Sequence, residues 1–202
     1  MVVGITGGIG SGKSTVVAMF SKMKNVTVYI ADAEAKKLMN TSETIKNSLI
    51  KEFGEKTYIN NELNRAYLAS IVFKDKHKLA TLNAIVHPQV HQHLSNFIKD
   101  NNDKDYIVYE NAILFENNSN QFCDKIVTVT APLDIKIQRV IQRDGVTRED
   151  VLHRIKNQWS DEKKLLLSHY KIFNIDLAIT NKDVLRIHNY LTKNNSFNTN
   201  IS

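Results

Sequence analysis

The sequence predicts an α/β fold in which a mainly parallel sheet of about five strands is covered by helices on both faces. Three observations predict it. The chain opens as a β-branched strand, a glycine-rich turn and an amphipathic helix. A long, mostly helical stretch then separates the second strand from the third, and strand-like and helix-like segments alternate again after residue 105. With 202 residues, 42% of them hydrophobic and 24% charged, the chain suffices for one compact domain with an inserted subdomain. Two prolines and seven glycines exclude collagen-like and linker-rich architectures.

Met1 to Thr6 has the apolar, β-branched make-up of a buried parallel strand. Gly7 to Gly12 holds four of the seven glycines, and Lys13 to Lys24 then carries Val16, Val17, Met19, Phe20 and Met23 at helical spacing. Val26 to Ile30 reads as the second strand. The helical stretch begins near Ala33, with a helical insertion expected to bind a substrate placed at about residues 36–103, above the C-terminal edge of the sheet. Thr41-Ser42 precedes Ile45, Leu49 and Phe53, with Gly54 as the stop. Asn60-Asn61 marks a turn. Asn64 to Phe73 and Lys76 to Val86 read as helices, and Pro88 is expected to break the pattern at His87 and start a new helix to Lys99. Tyr106 to Tyr109, Lys125 to Thr130 and the apolar run Ile175 to Thr180 read as further strands. Pro132 opens a helix that Gly145 ends, Thr147 to Glu149 opens another, and Asp183 to Leu191 is the last. Residues from Asn194 to Ser202 form a polar tail expected to fray.

Several function classes drop out. No apolar run approaches the roughly 18 residues of a membrane helix, and Met1 to Gly10 lacks the basic and apolar regions of a secretory signal. The single cysteine, Cys123, cannot form an internal disulfide, which fits a reducing, cytoplasmic setting. The net charge of +6 is spread thinly, without the basic run expected of a nucleic-acid stripe, and suits polyanionic metabolites. His87, His91 and His93 lack the ligand set of a zinc site.

The decisive text is Gly7-Gly8-Ile9-Gly10-Ser11-Gly12-Lys13-Ser14, followed by Thr15, which fits the phosphate-loop pattern G-x-x-x-x-G-K-[ST] and falls between a strand and a helix. Glycines let main-chain N–H groups turn inward where side chains would block a phosphate. The helix from Lys13 starts at the phosphates and offers its unpaired amides and dipole to negative charge. Lys13 reaches the β/γ-phosphates, and the Ser14 hydroxyl is the expected Mg²⁺ ligand. A dinucleotide fingerprint fails because its third glycine falls on Lys13. The expected ligand is a nucleoside triphosphate, ATP, and the fold is a P-loop NTPase-type sheet.

This loop alone leaves kinase, switch and motor open. Asp32 follows the second strand, where it can orient an acceptor hydroxyl or serve as the N-cap of the helix from Ala33. A later segment holds Arg139, Arg143, Arg148 and Arg154, with Lys136 and Lys156, as an arginine-bearing lid at about residues 136–170 would. Arg139 and Arg143 share one helical face. The same segment also reads as a solvated surface, but together these features favour a small kinase.

The chain resembles the dephospho-CoA kinases. The resemblance rests on Gly4-Ile5-Thr6 and the phosphate loop, Ala31-Asp32 with Ala35 and Leu38, Asn64-Arg65, Leu68, Ile71-Val72-Phe73, Leu82-Asn83-Ala84-Ile85-Val86-His87-Pro88, Ile113-Leu114-Phe115-Glu116, and Arg139 to Asp144 with Arg148 and Gln158. It implies transfer of the ATP γ-phosphoryl group to the ribose 3′-hydroxyl of dephospho-CoA, with Mg²⁺. It implies Asp32 as general base, Thr6 and Lys13 at the transferring phosphate, Arg139 and Arg143 in the lid, and Asn174 near the adenine. Arg65 and His87 fall in the acceptor-binding insertion, where an ion pair and a packing role are the respective alternatives. Glu110 ends the third strand, where a carboxylate can meet a magnesium-bound water or simply face solvent. The sequence departs from the family at Ala112, Ile30 and His169, none of them in the loop. The alternatives are another small nucleoside or nucleotide kinase and a non-kinase nucleotide switch. The expected partners are ATP and dephospho-CoA alone, with neither nucleic acid nor membrane, in a monomer or small homo-oligomer.

Overall fold

The computed structural model describes residues 1–196, with side chains through residue 193. In chain order, β1 (Val2–Thr6) leads through the glycine loop into α1 (Lys13–Phe20), and β2 (Val26–Ile30) runs straight into α2 (Ala31–Thr41). There follow α3 (Glu43–Phe53), a small hairpin of β3 (Tyr58–Ile59) and β4 (Glu62–Leu63), α4 (Arg65–Val72) and the 25-residue α5 (Lys76–Asp100). Then come β5 (Tyr106–Glu110), β6 (Lys125–Thr130), α6 (Leu133–Asp144), α7 (Arg148–Lys156), α8 (Asp161–Leu166), β7 (Tyr170–Phe173) and α9 (Leu177–Ser196). The chain divides into two compact units, one built from residues 1–29 together with residue 101 onward, the other from Ile30–Asp100.

The first unit is a five-stranded parallel sheet in the order β2-β5-β1-β6-β7. The central strand β1 pairs with β5 on one side and β6 on the other. Its burial on both faces explains the run Val2 to Thr6, all of it buried. Val3, Ile5, Val108, Val127, Val129 and Ile172 pack with Val16, Val17 and Phe20 of α1 and Val184, Ile187 and Leu191 of α9. A second, small core joins Ile137 and Val140 of α6 to Val151 of α7, with Ile9 of the glycine loop packed against it.

The second unit is helical because its apolar residues recur at helical spacing. Ile45, Leu49 and Phe53 of α3 are buried at every fourth position. Ser42 caps that helix by accepting from the Ile45 N–H, and Gly54 ends it at φ +89°. Asn60 and Asn61, at φ +52° and +68°, make the hairpin turn. The left-handed Gly145, at φ +66°, and the Thr147 capping box bound α6 and α7 in the same way.

Three expectations are corrected. Pro88 does not break the chain into two helices: α5 is continuous across it. Val86, Val90 and Leu94 form one buried stripe, while Pro88 and Ala84 lie on the exposed side, so the carbonyl that the missing N–H leaves unpaired is on the solvent-facing side of the helix. The last strand is Tyr170–Phe173, not Ile175 to Thr180. Asp176 accepts from the Ile179 N–H at 2.9 Å and turns that apolar run into the start of α9, with Ile175, Leu177 and Ile179 exposed. Asp32 is not an N-cap, because α2 begins at Ala31 and Asp32 lies within its first turn. The expected polar tail from Asn194 begins in the backbone of α9, and beyond Ser196 it lies outside the described residues. Among the described residues no helix is long and apolar enough to cross a membrane.

Pro88→Ala restores one helical hydrogen bond on a water-facing side, so it is expected to stabilise the protein by about 1–2 kcal/mol. A higher urea midpoint is the expected reading, and a lower one would show that packing depends on a proline-bent helix. Alkaline pH acts on the first unit. Loss of hydration pushes the Cys123 thiol, packed beneath Gly4, up to about 12, and burial also raises the Tyr106 phenol. The folded chain therefore holds protons that the unfolded chain releases from about pH 9. Stability present below that pH should be lost between about pH 9 and 12, as melting temperatures across that range would show.

Candidate active site

The phosphate loop leaves β1 at Thr6 and wraps back to the first turn of α1. Gly7, Gly10 and Gly12 have φ of +149°, +77° and +86°. A Cβ on any of them would overlap a neighbour: the Val129 carbonyl at Gly7, the Lys136 main chain at Gly10, the Asn174 amide at Gly12. Glycine is required there by close approach as well as by dihedral angle. The amides of Thr15 and Val16 return to Gly12 O at 3.1 and 3.2 Å, so those before them are the helix's leading N–H groups, which have no intrahelical acceptor. Lys13 Nζ donates across the loop to Gly7 O at 2.9 Å. The arrangement concentrates main-chain dipoles and an ammonium where an anion would sit. Ser14 and Thr15 are exposed at the start of α1.

Arg139 is brought to this loop. Its guanidinium donates to Asn174 O at 3.0 Å and lies 3.5 Å from the carbonyls of Gly10 and Ser11. Asn174 is buried and both its amide atoms are engaged: Nδ2 donates to Ser11 O at 3.0 Å and Oδ1 accepts from Thr180 Oγ1 at 3.1 Å. Its side chain therefore acts as a strut beneath the loop. Thr6 is buried and donates to Ala112 O at 3.3 Å. Arg143 is not brought to the loop. It forms a two-point pair with Asp144, at 2.7 and 3.0 Å, and Arg154 of α7 joins the same carboxylate at 2.8 Å. Hydrogen bonds from Arg143, reinforced by Arg154, hold the Asp144 carboxyl at about 2.

The structure adds residues to which the sequence assigned no role. Lys136, one turn before Arg139, is buried and pairs with Asp161 at 2.6 Å beside Gly8, and Thr130 donates to the same carboxylate oxygen. Lys164 is fully buried, donating to Glu116 at 2.9 Å and to Ala112 O at 2.8 Å. Gln158 accepts the Ile9 N–H at 2.9 Å. The sequence signals were the cluster of basic residues around Arg139, Lys136 among them, and the presence of Glu116 and Gln158 in the text that carries the family resemblance. No spacing rule couples Glu116 to Lys164 or Lys136 to Asp161.

In the helical unit, Asp32 is exposed in the first turn of α2, where a carboxylate meets the positive end of the helix. Arg65 is exposed at the first position of α4 and makes no ion pair among the described residues. His87 lies inside α5, half-buried and stacked on His91 with ring centroids 6.3 Å apart. Burial, and then the neighbouring His91, lowers its basicity and favours the neutral ring.

Comparison with known proteins places this architecture. A family model described as dephospho-CoA kinase matches residues 1–178. The dephospho-CoA kinase of Bacteroides fragilis is 37% identical over 172 residues, covering 85% of this chain and 83% of that protein. Among solved structures, TT1252 from Thermus thermophilus superposes with a TM-score of 0.83 at 30% identity, over 94% of this chain and 96% of that one. A dephospho-CoA kinase from Campylobacter jejuni shares the fold, with a TM-score of 0.72 at 22% identity over 96% and 98% of the two chains. With a loop built for a nucleotide's phosphates, an arginine laid against it and a family model matched over most of its length, the chain belongs to the dephospho-CoA kinase family.

Proposed function

We propose that the protein transfers the γ-phosphoryl group of ATP to the ribose 3′-hydroxyl of dephospho-CoA, giving CoA and ADP. The observation that carries the reading is the phosphate loop pressed between β6, α6 and Asn174, with Lys13 and Arg139 laid against it. Phosphoryl transfer needs in-line positioning and cations over the equatorial oxygens more than covalent chemistry. The loop amides and Lys13 hold the β- and γ-phosphates, and Arg139 adds charge from α6. Arg143 contributes on leaving Asp144, and Thr6 lies at the root of the loop. Asp32 accepts the 3′-hydroxyl proton late, as suits a loose transition state. Arg65, whose guanidinium makes no ion pair among the described residues, takes the acceptor's pyrophosphate, and His87 helps shape the acceptor side. Asn174 supports the nucleotide through the loop.

The donors suit Mg²⁺. Ser14 offers an exposed hydroxyl, and the Glu110 carboxylate lies at the end of β5, giving the hard oxygen ligands that ion prefers. When bound with ATP, the ion supplies charge neutralisation between the β- and γ-phosphates.

The direct test incubates protein, ATP and Mg²⁺ with dephospho-CoA, with adenosine, or with no acceptor, and weighs the product. CoA formed only in the first mixture supports the reading, while acceptor-independent hydrolysis alone would point to a nucleotide switch. Lys13→Ala should lower kcat by about 10²-fold or more with the circular dichroism spectrum unchanged. Asp32→Asn should reduce kcat by about 10²–10⁴-fold while the Kd for ATP stays within about threefold. Collapse of ATP binding with turnover preserved would remove Asp32 from the role of base.

A further inference from the structure

Between its glycines the phosphate loop carries only two other residues, Ile9 and Ser11. Flanking glycines give such a segment little stiffness of its own, so its shape depends on what grips these two. Ser11 is gripped through its carbonyl by Asn174. Ile9 is gripped twice. Its side chain packs against Ile137, Val140 and Val151, and its N–H donates to Gln158 Oε1 at 2.9 Å.

Gln158 is itself fixed. It stands two residues beyond α7, and the next residue, Trp159, donates its N–H to Glu116 Oε1 at 2.9 Å. That oxygen also accepts from Lys164, which is fully buried and tied to Ala112 O at 2.8 Å. Two residues after Trp159, Asp161 pairs with Lys136 at 2.6 Å against Gly8. A buried, hydrogen-bonded ion pair is costly to open from one side, so this stretch forms a firm abutment.

We propose that Gln158 is a positioning residue for phosphoryl transfer: its side-chain carbonyl holds the Ile9 amide and so keeps the phosphate loop in its ATP-receiving shape. A glutamine suits the task because it offers a neutral acceptor of fixed reach beside a site made for anions. The abutment of Glu116 and Lys164 sets where that acceptor stands. The inference rests on ATP being the ligand of this loop, and wild-type enzyme assayed in parallel separates the two. If wild type forms no CoA, the functional reading fails; if it does, the variants below decide the role of Gln158.

Gln158→Leu removes the acceptor while keeping a side chain of comparable bulk. It is expected to raise the KM for ATP about tenfold, leave the KM for dephospho-CoA within about twofold, and shift the melting temperature by no more than a few degrees. In hydrogen exchange of the nucleotide-free protein, the Ile9 amide should lose protection in Gln158→Leu and keep it in Gln158→Glu, which retains an acceptor of the same shape. Should Gln158→Leu not fold, Gln158→Asn, whose acceptor is drawn back by one methylene, is read by the same measurements. An ATP KM within twofold of wild type overturns the proposal. A lower ATP KM overturns it too, since Gln158 would then compete with the nucleotide. So does an equal rise in both KM values with a large fall in melting temperature, which marks support of the fold alone.

Discussion

No side chain fits at residues 7, 10 and 12, and the arrangement of the first unit follows from that crowding. The loop lies against the end of β6 at Val129, the first turn of α6 at Lys136 and the Asn174 amide after β7. Three elements far apart in the chain must therefore arrive within van der Waals distance of one short segment. The sheet order, with β1 central and β6 and β7 to one side, is what brings them there. The loop's amides are thus oriented by surroundings already in place, which is the condition under which dipoles stabilise developing charge most effectively.

The same crowding shapes the charges. Lys13, Lys136 and Arg139 lie around the phosphate loop, and each is bonded to a carbonyl or a carboxylate of the chain. Mutual repulsion among the cations is thereby tempered while their positive ends stay nearby. Arg143 and Arg154 share Asp144 in the same manner, farther out and more exposed. Inner and outer cations differ in what holds them. The inner ones are bound to the main chain or to a buried carboxylate, whereas the outer pair meets a solvent-exposed carboxylate, where an ion pair is worth little.

Much of this was legible in the sequence where a local rule has a local cause. The phosphate loop, the Ser42 and Thr147 caps, the Gly54 and Gly145 stops and the Asn60-Asn61 turn are set by residues within a few positions of one another. Pro88 misled because its cost depends on which face of α5 meets water, a tertiary fact. Strand β7 was hidden because an edge strand of four residues, half of them exposed, carries little apolar pattern, while the more apolar run after it is seized by Asp176 for a helix. Around the loop, Lys13, Arg139 and Asn174 were singled out as residues, but the sequence held no sign that the Asn174 amide is buried against Ser11 O. The Glu116–Lys164 and Lys136–Asp161 pairs join positions 48 and 25 residues apart, and nothing in either neighbourhood announces the other.

The division of the chain has a bearing on how the molecule comes into being. Ile30–Asp100 is contiguous and helical, with partners near in sequence, so it can take shape while still emerging from the ribosome. The sheet cannot. Its middle strand pairs with β5 and β6, which follow it by more than a hundred positions. That apolar strand, which runs into glycines, must therefore wait unpaired while the intervening hundred residues are made, and it is there that a chaperone would find its most prolonged target.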